Sequence, residues 1–199
     1  MLELKGVTVK FGHKIALNNI SIKINEGEVV AIVGQNGAGK SSLIKELIGN
    51  SSLPVGYMPE RATPDPYLTV DEFISYFIQL SNSNCRVEDI IELCNLQEYR
   101  SILCKNLSKG TSQRVILSAV LGLNTDIIIL DEPTAGFDPL FQIEMNSIFS
   151  KIKGDKTIII STHNISEIEH IASRIIVLKD GSINFDGAFN RTKSYYEYF

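Results

Sequence analysis

With 199 residues, 44% of them hydrophobic and 21% charged, the chain has the composition of a globular domain long enough to bury a full core. Its net charge of −4, from 19 basic and 23 acidic side chains with no basic tract, argues against a nucleic-acid partner. The longest apolar stretches, around 115–123 and 127–130, fall well short of a membrane span, and Cys85, Cys94 and Cys104, without C-x-x-C spacing, read as reduced, partly buried thiols and not as a disulfide or metal framework.

Met1 leads straight into "LELKGVTVKFG", where Leu2 and Leu4 alternate as in a strand, so no secretory leader is expected. "ALNNISIKI" repeats the period with Ile20, Ile22 and Ile24. "GEVVAIVG" is a continuous apolar strand running into a glycine loop, and "KSSLIKELIG" a helix closed by Gly49. From about residue 61 to 112 the pattern is helical only: "LTVDEFISYFIQL", with Thr69 and Glu72 in capping-box spacing, then "RVEDIIELCNLQEYR". The apolar face of the first of these is expected to pack mainly into the core. "DIIIL" is a strand, Pro139 starts the helix "PLFQIEMNSIFSKI", "TIIIST" is a buried strand and "NISEIEHIA" a helix. "RIIVLKDGSINFDG" reads as a hairpin turning at Asp180-Gly181, and the tail "SYYEYF" as a frayed end. Strands alternating with helices imply an α/β fold: a P-loop NTPase core with a mainly parallel sheet flanked by helices, antiparallel strands at the N-terminus and an inserted helical subdomain. The expected division is 1–60 plus 113–199 for the core and 61–112 for the insertion.

"GQNGAGKSS" fits the spacing G-x-x-x-x-G-K-[ST] from Gly34 to Ser41, between a predicted strand and a predicted helix. The glycines Gly34, Gly37 and Gly39 let the backbone curl around Asn36 and Ala38, so that successive N–H groups face phosphates at a helix start. Lys40 reaches the β- and γ-phosphates as a point charge. Ser41 offers a hydroxyl to Mg²⁺, and Ser42 extends the loop into the helix. This pattern makes the chain a nucleotide binder. Asp131 and Glu132 end the apolar strand "DIIIL", at the sheet edge where ligands of such folds sit. There Asp131 is expected on the Mg²⁺ shell and Glu132 as base toward an attacking water. His163, directly after "TIIIST", ends another strand on that edge and is placed to sense a γ-phosphate. A second loop, "NLSKGTSQR", opens another apolar helix; Ser108 or Ser112 suits its N-cap.

Taken in order, the glycine loop, "LSKGTSQR", "IIILDEPTAGFDP" and "STH" resemble the motifs of the ATP-binding-cassette family, from Leu2 to about Gly187. The resemblance implies that "LSKGT" contacts the γ-phosphate of a nucleotide bound to the other cassette of a head-to-tail pair, with Ser108 and the N–H of Gly110 as donors. That accords with a simple count: one γ-phosphate does not require two helix starts from one chain, whereas two facing copies satisfy both loops. An ATP-stabilised homodimer, or a pair with a similar cassette, is therefore implied. By position Phe11 matches the aromatic that stacks on adenine, Asp138 the loop lining the dimer seam, and Glu60 a residue that is glutamine in many relatives and coordinates Mg²⁺. Glutamate keeps the oxygen ligand but adds charge, which implies tuned activity. Lys109 stands where a glycine is usual, as in cassettes of the two-gene (ABC-2) exporter type. The short span from Lys40 to Glu60 implies that an antiparallel excursion is trimmed.

The function so implied is the ATPase subunit of a membrane transporter, using ATP and Mg²⁺, lying at the cytoplasmic face of the membrane on an integral permease carried by another polypeptide. The alternatives are a soluble cassette acting on ribosomes or DNA, and a nucleotide-binding regulator that seldom hydrolyses.

Overall fold

The chain opens with a separate antiparallel pair, β1 (Leu2–Phe11) and β2 (Lys14–Ile24). β3 (Val29–Val33) runs into α1 (Lys40–Gly49), which returns to β4 (Val55–Met58). Next come α2 (Val70–Leu80), α3 (Val87–Leu93), 3-10 turns at Gln97–Tyr99 and Cys104–Asn106, and α4 (Lys109–Gly122). β5 (Ile127–Asp131), α5 (Pro139–Ile152) and β6 (Thr157–Thr162) follow, then β7 (Arg174–Lys179) and β8 (Ser182–Ala188). This is a computed structural model, and it describes residues 1–165 and 169–190.

A six-stranded sheet in the order β4-β5-β6-β3-β7-β8 is parallel except for β8, the antiparallel partner of β7. Its central strands are apolar on both faces because both faces are covered. Val29, Ala31 and Val33 of β3 join the core under α2–α5, while Val30 and Ile32 join the core under α1 and the β1–β2 pair. The same alternation runs along β5, β6 and β7. Ile158, Ile159 and Ile160 are all essentially buried, and each contributes about 1.5–3 kcal/mol by leaving water.

Local signals account for most element ends. Thr69 and Glu72 form the expected reciprocal box: Glu72 N–H donates to Thr69 Oγ1 (3.3 Å) and Thr69 N–H to Glu72 Oε2 (2.8 Å). The apolar face of α2 buries Phe73, Ile74 and Ile78 against the core, leaving Tyr76 and Leu80 exposed. Asp180 (φ 47°) and Gly181 (φ 77°) make the β7–β8 turn with both central residues left-handed, as the strand twist prefers.

Two readings of the sequence change. β4 was not anticipated; Val55–Met58 pairs in parallel with Ile127–Leu130 and forms the sheet edge before Glu60. The helix expected over 86–100 stops at Leu93, because Cys94 leaves helical geometry and Asn95 turns left-handed (φ 52°). Residues 166–168 of the helix expected over 164–172, and the whole of the tail "SYYEYF", lie outside the described residues.

Candidate nucleotide site

The loop after β3 is shaped by what its glycines permit. Gly37 (φ 84°) and Gly39 (φ 109°) are left-handed, and a Cβ on Gly39 would lie 2.5 Å from the Ala16 carbonyl oxygen. The curl is closed by Ala38 N–H donating to Gln35 O (3.1 Å) and anchored by Gly34 N–H donating to Thr162 O (3.4 Å) on β6. Gly39 sits at the N-cap of α1 and has no side chain to cap it, and the first turn of α1 has no acidic residue. The first N–H groups of such a helix have no intrahelical acceptor, so this end is left open to an anion.

Lys40 is 6% exposed. Its Nζ donates to Gly34 O (2.8 Å) and Gln35 O (3.4 Å) and lies 3.0 Å from Glu132 Oε1. Glu132 Oε2 is in turn 2.8 Å from His163 Nδ1. Three charged or titratable groups, from the start of α1 and the ends of β5 and β6, thus stand in a row, and the carboxylate between them is 8% exposed. Although Lys40 is close, no donor is aligned on Glu132 Oε1, so this buried oxygen lacks a properly formed hydrogen bond.

Glu132 itself is in the left-handed region (φ 51°), uncommon for a residue with a side chain. Its N–H donates to Ser161 Oγ (3.0 Å) and Ser161 O (3.2 Å), and Ser161 Oγ donates to Asp131 Oδ1. Ser161, fully buried, therefore holds the Asp131 carboxylate and the backbone of Glu132. Sequence reasoning missed it; the available signal was a serine directly after the apolar run Ile158–Ile160, where the strand nears its end.

A cleft of about 480 Å³ is lined by Phe11, Lys14, Ala16, Asn36, Gly37, Gly39, Lys40, Ser41, Ser42, Glu60, Glu132, Ala135 and His163. Phe11 stands at the tip of the β1–β2 hairpin, opposite Lys14 in register and 61% exposed, so it is a wall of the cleft and no core residue. Lys14, Ala16 and Ala135 were not anticipated from sequence. Asp131 is 4% exposed and sits behind Glu132, outside this lining. Burial, then the negative charges of Asp131 and Glu60, push the Tyr57 hydroxyl above its ordinary range, so both carboxylates act on one neighbour on β4. No cluster of three His, Cys, Asp or Glu groups able to hold a metal occurs among the described residues. Ser41 and Glu60 line the cleft and Asp131 lies behind Glu132, so the residues expected to hold a metal offer oxygen ligands. A sparse oxygen set suits Mg²⁺, which is usually held by one or two carboxylates with phosphates and water.

Ser108, Gly110 and Asp138 come together elsewhere, in a depression of about 490 Å³ that contains neither Lys40 nor Glu132. Ser108, not Ser112, caps α4, accepting from Thr111 N–H (3.1 Å). Asp138 caps α5, accepting from Phe141 N–H (3.0 Å).

No helix among the described residues is long and apolar enough to cross a membrane. Residues 17–135 match the family described as "ABC transporter". An uncharacterized ABC transporter ATP-binding protein of Methanocaldococcus jannaschii is 30% identical, covering 99% of this chain and 82% of its own length. The zinc import ATP-binding protein ZnuC of Rickettsia conorii is 28% identical, over 89% of this chain and 82% of its own. The fold matches a dimeric ATP-binding cassette, MJ0796, in a post-hydrolysis state bound to ADP and Pi, with TM-score 0.83 over 96% of this chain and 99% of that one, at 24% identity. A phosphate loop facing a strand-end carboxylate, on a chain whose residues 17–135 match this family, leads to one assignment: the chain belongs to the ABC transporter family, as its ATP-binding ATPase subunit.

Proposed function

We propose that two copies of this chain, or one copy and a similar cassette, pair head to tail around two ATP molecules. Closure on ATP and reopening after hydrolysis would then move a substrate through a separate membrane-spanning permease, with the cassette at the cytoplasmic face. The observation that carries this reading is the row Lys40–Glu132–His163, its first two members buried and the histidine exposed, beside an uncapped helix start.

In this reading the N–H groups of the loop from Gly34 through Asn36, Gly37, Ala38, Gly39 and Lys40 to Ser42 hold the phosphates, and Phe11 stacks on adenine. Mg²⁺, when bound, neutralises phosphate charge; Ser41, Asp131 and Glu60 would hold it. Glu132 takes the proton of the attacking water, and His163, 2.8 Å from Oε2, orients that carboxylate. Lys40 exchanging Glu132 for a phosphate would free the carboxylate for this role. Ser108 and Gly110 lie apart from Lys40 in one protomer, which supports their acting on the partner's nucleotide, with Asp138 at the seam. Coupling requires the closed state to bind ATP better than ADP, since a ligand shifts an equilibrium only by its differential affinity.

Glu132→Gln keeps the shape and removes the base. It is expected to bind ATP while hydrolysing it about 10²–10⁴-fold more slowly, and to sediment as a dimer in saturating ATP without Mg²⁺. A strictly monomeric species at high protein concentration would overturn the paired reading. Co-purification of the native protein with a multi-span polypeptide tests transport; recovery with ribosomal RNA or DNA instead would replace it.

A further inference from the structure

We infer that Lys109 and Phe137 form a cation–π clasp that positions the Ser108–Gly110 turn against the Glu132 loop of the same protomer, making both positioning residues for ATP hydrolysis. The inference rests on the paired reading above.

Lys109 Nζ lies 4.6 Å from the centroid of the Phe137 ring, within the range of a cation–π contact. That ring stacks on Phe141, with centroids 4.2 Å apart and planes 26° apart. Gly110 packs on the same aromatic pair by its bare backbone: a Cβ there would come within 3.2 Å of Phe141 and 3.9 Å of Phe137. Both residues after Ser108 therefore rest on one aromatic platform. The platform is tied to Glu132 by short turns, because Phe137 N–H donates to Thr134 O (3.3 Å) and Ala135 N–H to Glu132 O (3.2 Å). Lys109, Phe137 and Glu132 also line one groove of about 480 Å³.

Local stability does not explain the lysine. Lys109 is the first residue of α4, where a cation opposes the helix dipole. No carboxylate lies within ion-pair distance of it among the described residues, so the aromatic ring is the compensating partner. The clasp thus connects donors aimed at the partner's nucleotide with the base that serves the protomer's own.

The test compares ATPase kinetics of Lys109→Met, Phe137→Leu, the double variant and Lys109→Arg, with Glu132→Gln alongside. Each single change is expected to lower kcat about two- to fivefold, with KM for ATP held within about twofold. The double variant should be no slower than the slower single, and Lys109→Arg should restore the rate. A wild-type kcat in Lys109→Met, multiplying losses in the double variant, or no rescue by arginine overturns the clasp. A fully active Glu132→Gln would sink the assignment of the base instead. A readout independent of turnover is available because the chain contains no tryptophan: Phe137→Trp places a lone indole under Lys109. Its emission should change on Lys109→Met and stay near the parent on Lys109→Arg; emission indifferent to Lys109→Met overturns the clasp whatever the ATPase does.

Discussion

The starts of α1 and α4 are both glycine-containing turns that open a helix, and they treat their unpaired N–H groups in opposite ways. At α1 the cap is Gly39, no side chain accepts from the first turn, and a buried lysine reaches across the opening. At α4 the cap is Ser108, which already accepts from Thr111 N–H, and the following lysine is exposed on an aromatic ring. The first end lacks a partner until an anion arrives. The second is complete as a helix and has donors to spare only at its rim. The two helix starts therefore differ in how far they satisfy themselves, as expected if the first loop holds its own chain's nucleotide and the second, as proposed, a neighbour's.

The sharpest way to break that contrast is at Lys40. Lys40→Ala should weaken ATP binding about ten- to a hundredfold in a fluorescent-nucleotide titration, the worth of a charge-assisted contact; unchanged affinity would make the two helix starts equivalent. Gly39→Ala forces a side chain into left-handed backbone 2.5 Å from Ala16 O. It should cost about 1–3 kcal/mol in urea unfolding, even without nucleotide. Ser108→Ala should cost about 1 kcal/mol by loss of the cap, lowering the melting temperature by about 2–4 °C with no ATP present. A melting temperature that falls only in the presence of ATP would mean that Ser108 is reserved for a ligand after all.

The smallest effect belongs to the opposite end of β3, where charges satisfy one another. Burial raises the Glu28 carboxyl, but hydrogen bonds from Asn25 and the Arg174 guanidinium outweigh it and hold the group below its ordinary 4.5. A depressed carboxylate stabilises the fold above its unfolded value and loses that contribution as pH falls through the folded one. Wild type should therefore exceed Glu28→Gln in urea midpoint near about pH 7, and the gap should close toward about pH 3. A gap that widens in acid would show that Arg174 gains nothing from Glu28.

Much of the fold is legible locally. The Thr69–Glu72 box, Pro139 at the first turn of α5 and the Asp180–Gly181 turn each act within a few residues, and each stands where its pattern places it. β4 escaped because "VGYM" is short and half-buried, with a glycine inside; it becomes a strand by pairing with β5. In the site, Glu132 and His163 stand just past strand ends that were foreseen as one edge, and the structure brings them together with Lys40 at the start of α1. Ser161 and the left-handed backbone of Glu132 were not legible, because they concern which strand lies beside β5.

By itself the sequence determined the phosphate loop, the helix caps, the turns and the class of sheet, because these follow from backbone preferences and side-chain reach over a few positions. Only the tertiary structure decided the order β4-β5-β6-β3-β7-β8, the separation of the Ser108 depression from the Lys40 cleft, and the seating of Glu132 on Ser161. Strands apolar on both faces carry no mark of their neighbour or register. Those choices are made when helices cover both sides at once, and they place residues far apart in the chain within one row of contacts.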